Sequence, residues 1–160
     1  MEKKVISSTF SVFRNLGELP SEIQTLFEQA IVARDKAYAP YSNYFVGAAI
    51  LLESGEIITG SNQENAAYPS GLCAERTAIF YAGANYPDQK IKSMAISVKS
   101  LEKTVDSPGP PCGACRQSIA EYEFKQQQDI EIYMSGETGK ILKSDSLLNL
   151  LPLAFNSSFL

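Results

Sequence analysis

The chain contains no histidine, so any metal it holds must be bound by other donors. Cysteine is scarce and odd in number, at Cys73, Cys112 and Cys115, with nothing like the density of a disulfide scaffold. That usage fits a reducing compartment, and the expected location is cytoplasmic. Positive charge is in the minority: 14 Lys and Arg face 18 Asp and Glu, a formal net charge of -4. Affinity for nucleic acid comes mainly from Lys and Arg on phosphates, so no nucleic-acid partner is expected and a neutral small molecule fits better. No apolar run reaches about 18 residues, which excludes a membrane-spanning helix. The residues after Met1-Glu2-Lys3-Lys4 are interleaved with Ser and Thr, so a signal peptide's apolar stretch is missing too. Internal repeats, low-complexity tracts and linkers are also absent. What is present is a chain of 160 residues, 44% apolar and 20% charged, the size and balance of one domain spanning 1–160 with a core of its own.

Helices and strands alternate along it. Residues 4–13 alternate loosely, as an edge strand does. Pro20-Ser21 opens a helix in which Ser21 and Gln24 have capping-box spacing. Ile23, Leu26, Phe27, Ala30 and Ile31 form its apolar face, and Pro40 ends it. Residues 45–52 are almost continuously apolar, as in a strand buried on both faces, and turn at Ser54-Gly55 into a partner strand over 56–59. A loop over 60–72 leads to a helix over 74–85. A strand follows at 94–98, a Pro- and Gly-containing loop over 100–111, a helix over 112–124, a strand at 130–134, a short strand at 141–142 and a short helix over 146–151. This order implies a mixed sheet with helices on both faces, a fold in which loops entering helix N-termini usually carry the chemistry.

Both cysteine segments, Cys73-Ala74-Glu75-Arg76 and Pro111-Cys112-Gly113-Ala114-Cys115, occupy such positions. A helix N-terminus carries partial positive charge and free N–H groups, which favour thiolate over thiol. Cys112 and Cys115, three apart on a first turn, can grip one ion together, and Cys73 closes the trigonal base. Three thiolates are one ligand short of a closed structural Zn²⁺ site; without histidine the fourth place falls to a carboxylate or to water. Three thiolates on Zn²⁺ leave a net charge of about -1, which blunts its Lewis acidity. Arg76 and Arg116 each follow a ligand, and at least one is expected to donate hydrogen bonds to the sulfurs and offset that charge. Glu75 stands two residues after the first ligand, placed for general acid/base work on a metal-activated water. Read as buried structural thiols, or as a redox pair of Cys112 and Cys115, the same residues leave Glu75 without a purpose. Cys-x-Glu followed by Pro-Cys-x-x-Cys is a pattern shared by zinc deaminases as a class.

More specifically, the chain resembles the small homotetrameric cytidine deaminases of nucleoside salvage. The resemblance rests on AYAPYSNYFVGAA (37–49), GSNQENAAY (60–68), CAERTAIF (73–80), PCGACRQ (111–117) and LLPLAF (150–155). It implies a three-layer α/β/α fold around a mixed sheet of about five strands, one Zn²⁺ per chain on Cys73, Cys112 and Cys115, and Glu75 as proton shuttle. It further implies Asn62 and Glu64 as the pair on the ribose 3′-hydroxyl, Tyr44 beside the base where the family usually has Phe, and the Ala74 backbone on the pyrimidine. Phe155 matches an aromatic lent to a neighbouring subunit's pocket, so shared active sites in a homotetramer are implied too. The implied reaction is hydrolytic deamination of cytidine and 2′-deoxycytidine to the uridine forms with release of ammonia, in pyrimidine salvage. Residues 1–19 extend before the first shared helix, and the 107–111 loop is more Pro-rich than the family's usual approach to its second motif. The rival readings are a deaminase of a modified cytosine nucleoside such as blasticidin S, a nucleic-acid cytosine deaminase, and a non-catalytic zinc-binding module.

Overall fold

A computed structural model describes all 160 residues. Nine principal elements run in chain order. They are β1 (Ser11–Phe13), α1 (Ser21–Arg34), β2 (Tyr44–Leu52), β3 (Ile57–Ser61), α2 (Ala74–Asn85), β4 (Ile91–Ser100), α3 (Gly113–Gln126), β5 (Glu131–Ser135) and β6 (Ile141–Ser144). The strands form one sheet in the order β1-β6-β5-β4-β2-β3. Only β4 and β5 pair in parallel, as the α3 crossover between them requires; every other pair is antiparallel.

Alternation along β2 and β4 explains the three layers. Ala48, Ile50, Met94, Ile96 and Val98 point to one face, where they pack with Ala74, Ala78, Ile79 and Ala82 of α2 and Ile119 and Ala120 of α3. Ala49, Leu51 and Ala95 point to the other, against Ile23, Leu26, Phe27 and Ala30 of α1. Both faces of β2 are covered, hence its near-continuous apolar run. The helices sit close to the sheet because glycine stands where they cross. A Cβ on Gly47 would lie 2.0 Å from the Ala30 carbonyl oxygen of α1, and one on Gly60 would lie 2.6 Å from the Ala74 carbonyl oxygen of α2.

The sheet has six strands, not about five. The sixth is β1, whose Val12 lies opposite Leu142. At three and four residues, the neighbours β1 and β6 are too short to signal their pairing locally, and residues 4–10 of the expected edge strand stay outside the sheet. The expected capping box at Ser21 and Gln24 does not form. Pro20 occupies the cap with no side-chain bond, and Gln24 Nε2 instead donates to the Leu19 carbonyl at 2.8 Å. α1 also ends at Arg34, six residues before Pro40. No helix is long and apolar enough to cross a membrane.

Candidate active site

Cys73 and Cys112 are the residues immediately before α2 and α3, with extended backbones (φ -70°, ψ 156° and φ -67°, ψ 168°). Neither side chain caps its own helix, so both sulfurs are free to face each other at 3.7 Å. Cys115, one turn along α3 and fully buried, brings its sulfur within 3.5 Å of Cys112 Sγ. All three sulfurs lie within 4.8 Å of one another. Thiolates bound tetrahedrally to Zn²⁺ at 2.3 Å stand about 3.8 Å apart, so this donor set fits one zinc ion. Two helix N-termini converge on it, each favouring negative charge. Cys73 is held down to about 5, by its bond from Cys115 above all and by Arg76 beside it. Cys115 is pushed up by the same bond and by burial.

The two arginines behave differently. Arg76 Nη2 stands 4.0 Å from Cys73 Sγ, at the edge of the hydrogen-bond range to sulfur. Arg116 makes no such contact. Its Nε donates to the Pro111 carbonyl at 2.8 Å and its Nη1 to the Leu150 carbonyl at 2.9 Å. Of the two arginines, Arg76 alone stands beside a sulfur, and Arg116 ties the approach to Cys112 to the C-terminal turn instead.

Glu75, on the first turn of α2, is 4% exposed and lines the same cavity as Cys73 and Cys112. Burial pushes its carboxyl up to about 7, with the Cys73 charge adding to the rise. A carboxyl poised near neutrality can both take and give a proton.

The cavity measures about 790 Å³ and reaches from the sulfurs, past Tyr44, Ile96, Val98 and Gly109, to Asn62 and Glu64. Asn62 is held by β2: its Oδ1 accepts from Val46 N at 2.8 Å and its Nδ2 donates to the Tyr44 carbonyl at 2.9 Å. One amide N–H remains for a ligand. Glu64 accepts from Tyr41 N at 2.9 Å, Ser42 N at 3.3 Å and Ser42 Oγ at 2.5 Å. Desolvation, the largest single influence, raises the carboxyl, but these three bonds together outweigh it and hold it below its ordinary range, hence ionised at neutral pH. Tyr44 is half-buried in the cavity wall; burial and the Glu75 charge raise its phenol. Ala74 is fully buried at the first position of α2, behind the wall. Phe155 stands outside the cavity, 56% exposed and stacked on Phe159 at 5.5 Å.

A chain with this site matches the family model described as the cytidine and deoxycytidylate deaminase zinc-binding region over residues 20–128. It is also 42% identical to the cytidine deaminase of Halalkalibacterium halodurans over 134 residues, 84% of this chain and 94% of that one. The chain belongs to the cytidine and deoxycytidylate deaminase family. Within the family, it is 39% identical to the cytidine deaminase of Sporosarcina psychrophila, with 84% of this chain and 92% of that one covered. Among solved structures, the cytidine deaminase of Burkholderia pseudomallei is 38% identical with a TM-score of 0.70, covering 82% of this chain and 97% of that one. That of Mycobacterium tuberculosis is 29% identical with a TM-score of 0.63, covering 85% and 98%.

Some of the wall escaped the sequence reading. Tyr41, Ser42, Tyr68 and Leu72 line the outer end of this family member's cavity, with Tyr41 and Tyr68 edge to face at 6.1 Å. Tyr41, Ser42 and Tyr68 fall within segments that carry the family resemblance, Leu72 falls between two of them, and no short-range pattern links residue 42 to residue 64.

Proposed function

We propose that this protein deaminates cytidine and 2′-deoxycytidine hydrolytically to uridine and 2′-deoxyuridine, releasing ammonia, as a step of pyrimidine salvage. The observation that carries the reading is the buried Glu75 carboxyl beside a three-sulfur site, in a cavity whose far end holds Asn62 and Glu64. Zinc on Cys73, Cys112 and Cys115 supplies the Lewis acidity that makes water a nucleophile at neutral pH. The chain's own residues do the rest. Asn62 offers its remaining N–H and Glu64 its remaining lone pair to the sugar 3′-hydroxyl, which accepts from the first and donates to the second. Tyr44 packs beside the pyrimidine, and the α2 start around Ala74 backs the ring. Glu75 takes a proton from the incoming water as its oxygen bonds to C4, and gives a proton to N3. Glu75 next takes the remaining proton from the C4 hydroxyl and hands it to the amino group, so that the C4–N4 bond breaks, ammonia leaves and C4 keeps a carbonyl oxygen. The ionised Glu64 repels a phosphate on the sugar, which favours nucleosides over nucleotides.

The same reading takes residues 1–160 as one deaminase domain with an N-terminal extension over 1–19. It also takes the protein as a cytoplasmic homotetramer in which Phe155, exposed and outside its own cavity, completes a neighbour's pocket. A substrate panel tests it: cytidine, 2′-deoxycytidine, deoxycytidylate, blasticidin S and a cytosine-bearing single-stranded DNA, each followed by ultraviolet absorbance. Turnover of the first two alone is expected. Turnover confined to any of the other three, or to none, overturns it. Sizing in solution tests the tetramer.

A further inference from the structure

Glu64 sits near the mouth of the cavity, where an untethered carboxylate would sample many rotamers. Three of its roughly four lone-pair sites are instead taken by the turn after Pro40, which leaves one for a ligand. Two of those bonds come from backbone N–H groups, which no replacement other than proline removes. The third comes from Ser42. The Ser42 oxygen also accepts from Tyr44 N at 3.1 Å, so its single proton is committed to Glu64 Oε1. The chain turns sharply between the two, with Asn43 in the left-handed region at φ 52°, a conformation Asn tolerates better than most residues. On the far side, Asn62 Nδ2 holds the Tyr44 carbonyl. The backbone of Tyr44 is therefore gripped from both sides by residues of the sugar end, Ser42 at its N–H and Asn62 at its C=O.

We propose that Ser42 is a positioning residue for substrate: its hydroxyl aims the Glu64 carboxylate at the sugar 3′-hydroxyl and keeps Tyr44 in register with it. The inference rests on the nucleoside-deaminase reading above. Ser42 touches neither the sulfurs nor Glu75, so its contribution falls on binding of the sugar rather than on the chemistry at C4.

The experiment compares kcat and KM for 2′-deoxycytidine and 2′,3′-dideoxycytidine in the zinc-loaded wild type, Ser42→Ala and Ser42→Thr, with zinc counted in each. Ser42→Ala is expected to raise KM for deoxycytidine roughly tenfold, the worth of one hydrogen bond to a charged group, with kcat little changed. The ratio of kcat/KM for deoxycytidine to that for dideoxycytidine falls by a similar factor, because the second substrate has no 3′-hydroxyl for Glu64 to hold. Ser42→Thr, which keeps the hydroxyl, restores most of that ratio. Equal losses on the two substrates, no loss on either, or loss of zinc from Ser42→Ala would each overturn the assignment. A wild type that deaminates neither nucleoside would instead overturn the deaminase reading, and this assignment with it.

Discussion

Gly60 lies on β3 where α2 crosses it, and replacing it with Ala perturbs the site through the α2 backbone at Ala74 and Ala78. The new Cβ would lie 2.6 Å from both the Ala74 carbonyl oxygen and the Ala78 amide nitrogen, and 3.0 Å from Ala78 Cβ. Ordinary contact begins near 3.4 Å, so α2 must retreat by about 0.8 Å, and the atoms in its way are backbone that cannot rotate aside. Overpacking of this kind costs about 1–3 kcal/mol. In a chain of this length each kcal/mol moves Tm by about 2–4 °C, so a fall of roughly 2–12 °C is expected. The same retreat carries Cys73 and Glu75 away from Cys112 and Cys115, and a misplacement near 1 Å costs about 100-fold in turnover. Thermal unfolding and kcat/KM on cytidine measure the two effects. Gly55→Ala is the control: Gly55 sits in the β2–β3 turn at φ +87° with nothing within 4 Å of its would-be Cβ. That substitution strains the backbone by about 1–2 kcal/mol but leaves turnover alone. If Gly60→Ala keeps both its Tm and its kcat/KM within error of the wild type, the close approach of β3 and α2 does not position the site as argued.

Two other contacts lend themselves to measurement. The Glu123 carboxylate, 5% exposed on α3, accepts from Ile130 N at 2.8 Å, Leu147 N at 2.9 Å and Ser146 Oγ at 2.7 Å. Glu123→Ala orphans all three donors and should cost about 3–6 kcal/mol in urea unfolding, whereas Glu123→Gln, whose amide oxygen can still serve both backbone groups, should cost less than half as much; an Ala variant within about 1 kcal/mol of the wild type would contradict this. Arg116→Ala frees the carbonyls of Pro111 and Leu150 and should weaken zinc retention against a chelator about tenfold, with Lys at 116 little better because it cannot bridge the two. Unchanged retention would show that the approach to Cys112 needs no such tie.

The grouping of the three cysteines was legible because local signals sufficed: each segment opens a helix, and the helix over 74–85 has the limits the pattern suggested. The near-continuous apolar run over 45–52 likewise announced β2 and a sheet covered on both faces. What the sequence hid is what depends on distant partners. Glu123 reads as one more charge on a helix until residues 130 and 147 fold onto it. Arg116 follows a ligand closely enough to suggest a sulfur contact, yet a helical residue's direction is set by the turn it sits on, and this one points to the C-terminal turn. Ser42 and Glu64 are 22 apart and meet only because β2 and β3 bring their loops together. The edge strand expected over 4–13 shrinks to β1 for the same reason, since only Ser11–Phe13 find β6 to pair with.

The central claim is that Cys73, Cys112 and Cys115 hold one zinc and that Glu75 moves protons beside it. Zinc stoichiometry and cytidine turnover, measured together on the wild type and on Glu75→Gln, test it most directly. The account predicts one zinc per chain in both proteins and a turnover at least about 100-fold lower in the variant, the scale of a lost general acid/base. A Glu75→Gln protein that carries its zinc and deaminates cytidine at the wild-type rate would contradict it.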